Sequence, residues 1–303
     1  MVYVERFKVK GKSYYKLVHA VREKGKITHK AKYLGKALPT KERLLQIEKE
    51  FLKEIDGKKY KYLSADDVKK IEQKKEQYSS ETKKLSPLEI ENRMEEFIIR
   101  FTYDSSNLSG VNVTLRQTSL ILREGVMPKG FKNLRTVKEL ENHEKGIIAI
   151  TKYKGKLDMR FIKKLHSILM LGVDNSISGK LRSELKRNVK LAGTSYAPPK
   201  WEELDKEINY FLKWHKSENR HLHPIGLAAL VHLKIISVQP FADGNSRLSR
   251  LLMNWVLWKR GYPPIDIPIE ELEKYYNVLD SCQIEKQEKP FVDYIKEMYF
   301  KMH

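Results

Sequence analysis

The sequence predicts a mainly α-helical protein preceded by a small basic β-meander. Apolar and charged residues alternate at the start of the chain, whereas from Ser86 onward apolar residues recur at spacings of three and four. Hydrophobic residues make up 41% of the chain and charged residues 32%, which is a globular composition. With 303 residues, the chain is long enough for one large domain and one smaller one.

Three short strands are predicted before residue 36. Turns around Gly11 and over Lys24–Lys26 separate them, and Gly35 closes the meander. A helix is expected over about residues 40–55, and Ser64 has the chemistry to cap a second, highly charged helix to about residue 77. The next stretch is polar, lacks periodicity and contains a proline, so it predicts a domain boundary near residues 80–84. The result is an N-terminal region over residues 1–80 and a helical domain over residues 86–303.

The second domain is predicted to be built from helices, because apolar residues keep the helical period along it. The predicted helices cover about residues 87–103, 114–123, 137–152, 158–171, 201–215, 224–237, 246–260, 270–281 and 290–302. Between them, residues 172–199 are irregular over a length that is unusual in a compact domain. A loop of that size is more often functional than accidental.

Charge is concentrated at the N-terminus of a chain whose net charge is +20. Residues 1–40 hold eleven lysines and arginines against two glutamates, Glu5 and Glu23. Lysines alternate there with aromatic residues, a mixture suited to the phosphates and bases of nucleic acid. A basic, solvated sheet with half-buried tyrosines explains the same pattern. Both interpretations stay open at this point.

Cysteine content and hydropathy predict a soluble cytoplasmic protein. The single cysteine, Cys282, excludes an intramolecular disulfide and favours a reducing compartment. The first residues lack the apolar core of a signal peptide, and no stretch approaches the roughly 20 apolar residues of a membrane span. No membrane association is therefore expected.

The segment Ser237–Arg250 carries the strongest chemical signal. Pro240 ends the preceding helix, Asp243 and Gly244 have turn chemistry, and an apolar run with helical spacing follows. Arg247 and Arg250 lie three residues apart and so share one face of the new helix. Since the positive end of the helix dipole disfavours cations, two arginines there indicate a bound anion such as phosphate, unless both lie on a solvated face.

This segment resembles the signature of the Fic (fido) family, which runs His-Pro-Phe-x-Asp/Glu-Gly-Asn-x-Arg-x-x-Arg. Pro240, Phe241 and the residues from Asp243 to Arg250 follow it, with two departures. Gln239 stands where the family has its catalytic histidine, and Ser246 stands where the family usually has glycine. Further matches in the expected order are residues 222–232 to the preceding helix, residues 193–199 to the flap over a target segment, residues 179–182 to a Gly-x-x-Arg stretch, and residues 105–110 to the autoinhibitory helix.

The resemblance implies a Fic-type helical fold with a small flap hairpin. It also implies transfer of AMP from ATP to a Ser, Thr or Tyr hydroxyl of a target protein, with Mg²⁺ bridging the phosphates. In this sequence Asp243 would hold the metal, and Gly244, Asn245 and Ser246 would form the phosphate-binding turn. Arg247 would neutralise the leaving phosphate and Arg250 would hold the terminal one. Phe241 is expected to be a core anchor.

The departures alter the expected chemistry. Gln239 cannot act as a general base, and a positioned base contributes about 10²–10⁴ in rate. His215, His221, His223 and His232 are candidate substitutes, although His223 and His232 are expected to be structural. Ser109 occupies the position of the inhibitory glutamate, so Arg250 is expected to lack an anion from that segment.

Two functional hypotheses follow. In the first, the chain keeps the ATP- and Mg²⁺-binding apparatus on a degenerate signature and transfers AMP weakly or not at all. In the second, it is a nucleic-acid-binding or regulatory protein that acts through the basic N-terminal region, with the Fic-like domain as a scaffold.

Overall fold

The structure is a computed structural model that describes residues 2–23, 26–55, 60–129, 131 and 133–303. It separates into two compact units, Met1–Lys59 and Tyr60–His303. The predicted boundary near residues 80–84 therefore needs correction. The helix after Ser64 belongs to the second unit, because Ile71 is fully buried in its core and the Tyr299 hydroxyl donates to the Ile71 carbonyl oxygen at 3.4 Å.

The first unit contains the predicted meander and one helix. Strands β1 (Val2–Val9), β2 (Lys12–Glu23) and β3 (Lys26–Gly35) pair antiparallel in sequence order, and α1 covers Lys41–Ile55. The first turn lies at Lys10 and Gly11, whose φ angles of 48° and 77° suit a tight hairpin. The second predicted turn falls on residues 24 and 25, which lie outside the described residues.

The second unit is helical, as predicted, and each predicted helix is present with shifted ends. Its helices are α2 (Ala65–Thr82), α3 (Pro87–Asn107), α4 (Leu115–Glu124), α5 (Leu134–Lys152), α6 (Met159–Met170), α7 (Arg182–Leu185), α8 (Leu204–Glu218), α9 (Pro224–Val238), α10 (Asn245–Lys259), α11 (Leu272–Glu285) and α12 (Lys289–Met302), with a 3₁₀ turn at Ile269–Glu271. Within the described residues, every helix is too short or too polar to span a lipid bilayer.

Local sequence explains where the helices begin. Ser64, Ser86 and Thr114 each accept with their side chain from a backbone N–H three residues on. Each also donates its own backbone N–H to the side chain of that residue, which forms capping boxes at α2, α3 and α4. Helix α9 is apolar on all sides and is buried along nearly its whole length, with α10 and α12 packed against it. The loop between α9 and α10 therefore starts from a helix that is packed within the core.

The expected flap hairpin is not formed by paired strands. Residues 172–199, all described, contain turns and the short helix α7 but no strand. The Pro198-Pro199 pair lacks two backbone donors that a ladder would use. The flap is a loop fixed by side chains: the Tyr196 hydroxyl donates to the Ser237 carbonyl at 3.0 Å, and the Thr194 hydroxyl donates to the Asp280 carboxylate.

Candidate nucleotide site

The loop from Gln239 to Gly244 is closed by one side chain. The Asn245 Oδ1 atom accepts from the Phe241 N–H at 3.0 Å, and the Asn245 Nδ2 atom donates to the Phe241 carbonyl at 2.8 Å. Phe241 is fully buried, so the prediction that it is a core anchor is confirmed. Because both ends of the Asn245 amide are occupied by the loop, this residue positions the turn with its side chain.

Helix α10 begins at a bare N-terminus. Its N-cap, Gly244, has a φ of 76°, and no side chain caps the first turn. The first N–H groups of a helix have no intrahelical acceptor, so those of Asn245, Ser246 and Arg247 provide the donors and partial positive charge of an anion site. A Cβ on Gly244 would lie 3.2 Å from the Met170 sulfur, which explains the glycine. Ser246 is half-buried beside it.

Arg247 lies in the first turn of α10 and is 4% exposed. Its Nη1 atom is 3.5 Å from Glu139 Oε1, which also faces Arg135 Nε at 3.5 Å. The Nε and Nη1 atoms of Arg247 are buried and have no hydrogen-bond acceptor. One carboxylate thus faces two guanidinium groups, and the buried guanidinium is paired with it without a complete set of hydrogen bonds.

Arg250 is fully buried one turn further along α10. Its Nη2 atom donates to the Ser109 hydroxyl at 2.6 Å and to the Ser105 carbonyl at 2.7 Å, and its Nε atom donates to the Ser105 hydroxyl at 2.9 Å. Ser109 therefore does contact Arg250, through a neutral oxygen in place of a carboxylate. The guanidinium is hydrogen-bonded but not charge-compensated by α3, and its Nη1 atom has no acceptor.

Asp243 is the most accessible acidic group of the loop, with 52% of its side chain exposed. One carboxylate oxygen accepts from the Gly244 N–H at 2.6 Å, and the other is 3.7 Å from Arg135 Nη2. Among the residues described, no group of three or more His, Cys, Asp or Glu side chains could hold a metal alone. A single carboxylate fits Mg²⁺, which is commonly held by one or two carboxylates together with substrate phosphates.

Gln239 adopts the left-handed conformation, with φ 49° and ψ 62°, immediately after α9. It is 6% exposed, and its Nε2 atom donates to the Ile236 carbonyl at 2.8 Å. The amide is thus turned back onto the end of its own helix. A side chain in this place cannot take a proton from an attacking hydroxyl.

The four histidines considered as substitute bases have other surroundings. His223 caps α9 and its Nε2 atom lies 3.2 Å from Glu72, and His232 is fully buried with its Nε2 atom 3.1 Å from the Tyr275 hydroxyl. Both are structural, as predicted. Burial lowers the pKa of His215 to about 4, and His221 lies on the exposed surface.

The sequence did not predict a role for His166, which contacts the loop at Phe241 and Asp243. Its ring stacks on Phe241 with centroids 3.7 Å apart. Its Nδ1 atom accepts from the Gly179 N–H at 3.0 Å, so its Nε2 atom carries the proton and donates to the Asp243 carbonyl at 3.0 Å. Burial lowers its pKa to about 4, and the ring is neutral at pH 7. Nothing in its local sequence on α6 signals contacts to residues 241 and 243.

Arg182 connects the loop to the flap. It is fully buried, and its guanidinium donates to the carbonyl oxygens of Gln239, Val238, Pro199 and Arg187 at 2.5, 3.2, 2.9 and 3.2 Å. Its own N–H donates to the Pro240 carbonyl at 3.0 Å. The predicted site residues from Gln239 to Arg250, the flap and Ser109 are thus held in one place.

Comparison with known proteins identifies the domain. Residues 156–257 match the model of the Fic/DOC family, and they include α9, the loop and most of α10. The chain contains a Fic/DOC family domain. Two curated relatives are named protein adenylyltransferase Fic. The one from Drosophila erecta is 33% identical over 243 residues, which is 77% of this chain and 48% of the relative. The one from Drosophila melanogaster is 35% identical over 198 residues, which is 64% of this chain and 39% of the relative.

Solved structures support the Fic fold beyond the matched residues. A Fic domain containing signaling protein from Bacteroides thetaiotaomicron superposes with a TM-score of 0.69 and 28% identity, covering 78% of this chain and 93% of that one. A fragment of Fic-1 from C. elegans shares the fold at a TM-score of 0.67 and 21% identity, covering 87% of this chain and 75% of the fragment. The chain spans less than half the length of the two curated Fic relatives.

Proposed function

We propose that this Fic domain binds ATP with Mg²⁺ at the N-terminus of α10, and that in this form it transfers AMP to protein hydroxyl groups weakly or not at all. The names of the curated relatives support the reaction class. The geometry at α10 supports the ligand. The identity of Gln239 limits the reaction.

The observation that carries the proposal is the incomplete hydrogen bonding of the buried Arg247 guanidinium. A guanidinium that is 4% exposed, forms no hydrogen bond through Nε or Nη1 and has only the Glu139 ion pair beside Nη1 is costly unless a ligand completes its hydrogen bonds. The uncapped N–H groups of α10 begin in the same turn. Backbone donors and a buried arginine together fit the phosphates of a nucleotide, which offer several anionic oxygens to planar donors.

Asp243 is the proposed metal ligand. Mg²⁺ would offset the charge of the phosphates and polarise their oxygens when bound. The exposed carboxylate fits this role, and its Gly244 contact fixes one of its oxygens. Arg135 lies 3.7 Å from the other oxygen and would have to yield to the metal.

In the proposed transfer, a Ser, Thr or Tyr hydroxyl attacks the α-phosphorus of ATP. A bond forms between the hydroxyl oxygen and phosphorus, the bond to the bridging oxygen breaks, and pyrophosphate leaves. The hydroxyl proton must go to a base. Gln239 cannot accept it, so the rate is expected to be lower by about 10²–10⁴ than with a histidine at this position.

Calorimetric titration with ATP and Mg²⁺ tests the proposal on the full chain and on Gln239→His. Label from α-labelled ATP that becomes attached to the chain itself reports transfer. We expect both proteins to bind ATP and only Gln239→His to incorporate label. Histidine is among the residues better tolerated in the left-handed conformation, so the substitution suits the backbone.

Arg247→Met and Arg160→Met form the matched pair for the binding site. Both remove one arginine, but Arg160 is 96% exposed on α6. ATP binding should be lost in the first and kept in the second. Absence of ATP binding in the unaltered chain would overturn the nucleotide proposal, whereas equal transfer with Gln239 and histidine would show that the base lies elsewhere.

A further inference from the structure

A cluster of aromatic rings lies on one face of the N-terminal sheet. Phe7 on β1 is paired with Tyr14 on β2, and their ring centroids are 5.8 Å apart. Tyr33 on β3 completes the cluster, at 6.5 Å from Phe7 and 6.0 Å from Tyr14. Tyr3 lies on the same face, four residues before Phe7 on β1. The sheet thus presents adjacent rings drawn from all three strands.

Two of these four rings are exposed, and Phe7 and Tyr14 are half-buried. Tyr33 is 60% exposed and Tyr3 is 45% exposed. Cross-strand aromatic pairs contribute about 0.2–1 kcal/mol to a sheet, and they do so by burying their surfaces against each other. Contacts within the sheet explain the packing of Phe7 against Tyr14, but they leave most of the Tyr33 ring in solvent. Adjacent aromatic rings with an exposed member offer a surface on which a flat ligand can stack.

Positive charge surrounds the ring cluster. Lys16 lies on the same face, with its Nζ atom 5.3 Å from the centre of the Phe7 ring, and Lys12 flanks it on β2. Glu5 is the only acidic residue between residues 2 and 22, and Lys16 pairs with it at 3.0 Å. The opposite face and the first turn add Arg6, Lys8 and Lys10. A partner that carries both flat rings and dense negative charge fits this combination.

We infer that this sheet face binds single-stranded nucleic acid, with bases stacked on Phe7, Tyr14 and Tyr33 and phosphates held by the surrounding lysines. Single strands expose the π-faces that such a platform accepts, and base–aromatic stacking is tolerant of sequence. A duplex hides those faces within its own stack and offers the sheet only its backbone. This function is separate from the nucleotide site and does not depend on ATP.

Fluorescence anisotropy with a labelled oligothymidylate of about 12 nucleotides tests the inference on the full chain. We expect binding that weakens as salt rises, because phosphate contacts release counterions. Tyr33→Leu should weaken binding about 5- to 150-fold, the range that the loss of one base–aromatic stack produces. Lys12→Ala should instead reduce the salt slope by about 1.

Tyr210→Leu is the matched control, because Tyr210 is an equally accessible tyrosine on α8, 64% exposed. It should bind the oligonucleotide as the unaltered chain does, and Arg247→Met should do the same. Circular dichroism of Tyr33→Leu checks that the sheet is retained. The inference is overturned by absence of oligonucleotide binding at low salt, by equal affinity for a duplex of the same length, or by unchanged affinity in Tyr33→Leu.

Discussion

Two buried arginine sites in the helical unit differ in how fully their donors are used. Arg182, at the base of the flap, donates to four carbonyl oxygens, so its guanidinium is occupied by the protein itself. Arg247, in the first turn of α10, shares Glu139 with Arg135 and keeps two buried atoms without an acceptor. Both side chains are less than 5% exposed. Burial alone therefore does not distinguish a structural arginine from a binding one.

The difference lies in what the fold would lose without each side chain. The carbonyl groups bonded to Arg182 come from the end of α9, from Pro199 at the end of the flap and from Arg187 just after α7, and they would be left without this donor. Removal of Arg247 would instead take away a guanidinium whose charge is compensated only in part, because Glu139 is shared with Arg135. We therefore expect the first arginine to control stability and the second to control ligand binding.

The largest effect is expected for Arg182→Met. Buried polar groups left unsatisfied cost about 1–3 kcal/mol each, so the free energy of unfolding should fall by about 3–5 kcal/mol in urea denaturation. Arg187→Met removes the same charge from the exposed surface and should change it by less than about 0.5 kcal/mol. A loss in Arg182→Met no larger than that of Arg187→Met would refute the structural role of Arg182.

A smaller effect on stability is expected for Arg247→Met. Glu139 keeps Arg135 at 3.5 Å in this variant, so the free energy of unfolding should change by no more than about 1 kcal/mol. Saturating ATP and Mg²⁺ should stabilise the unaltered chain by about 2.7 kcal/mol at 100 times Kd, and this increment should vanish in the variant. Denaturation with and without nucleotide measures both quantities. If Arg247→Met destabilises the free protein as strongly as Arg182→Met, the distinction between the two sites fails.

The sequence predicted the local parts of this fold well. Helical period and capping residues such as Ser64 and Ser86 act over a few positions, so the helices were predicted with only their ends in error. The motif placed Asp243, Gly244 and Arg247 at the start of α10 for the same reason. The boundary between the units was misplaced because it depends on Ile71 reaching Tyr299 across 228 residues.

The parts of the site that the sequence did not predict also depend on contacts between residues that are far apart in the chain. His166 supports the loop from 77 residues away, and Arg135 and Glu139 reach it from α5. A serine at position 109 gave no sign that its hydroxyl would accept from Arg250 in place of a carboxylate. The flap departs from the expected hairpin because Arg182 and Tyr196 fix it with side-chain bonds. Pattern and motif therefore predict which residues carry the chemistry, and tertiary contacts decide how they are held.

The smallest effect concerns Asp266, whose carboxyl is buried within electrostatic reach of Arg250. Burial first, and the neighbouring Asp104 carboxyl second, raise the pKa of Asp266 well above its ordinary value. Because the folded chain holds this proton more tightly than the unfolded chain, the stabilising contribution is complete below about pH 3.9, the ordinary pKa of an aspartate, and is lost as pH rises.

Asp266→Asn removes this titration, and its amide oxygen can still accept from the Ile267 N–H as Asp266 Oδ1 does at 2.8 Å. Relative to the unaltered chain, we expect the variant to show no gain in stability near pH 4 and a gain that grows as the pH rises toward 7. Urea denaturation across this range measures the difference. A loss of stability that does not depend on pH would mean that Asp266 is ionised throughout this range and pairs with Arg250. The charge of Arg250, which its neutral contacts to Ser105 and Ser109 leave uncompensated, would then be compensated within the fold. The argument that Arg250 binds phosphate would be weaker in that case.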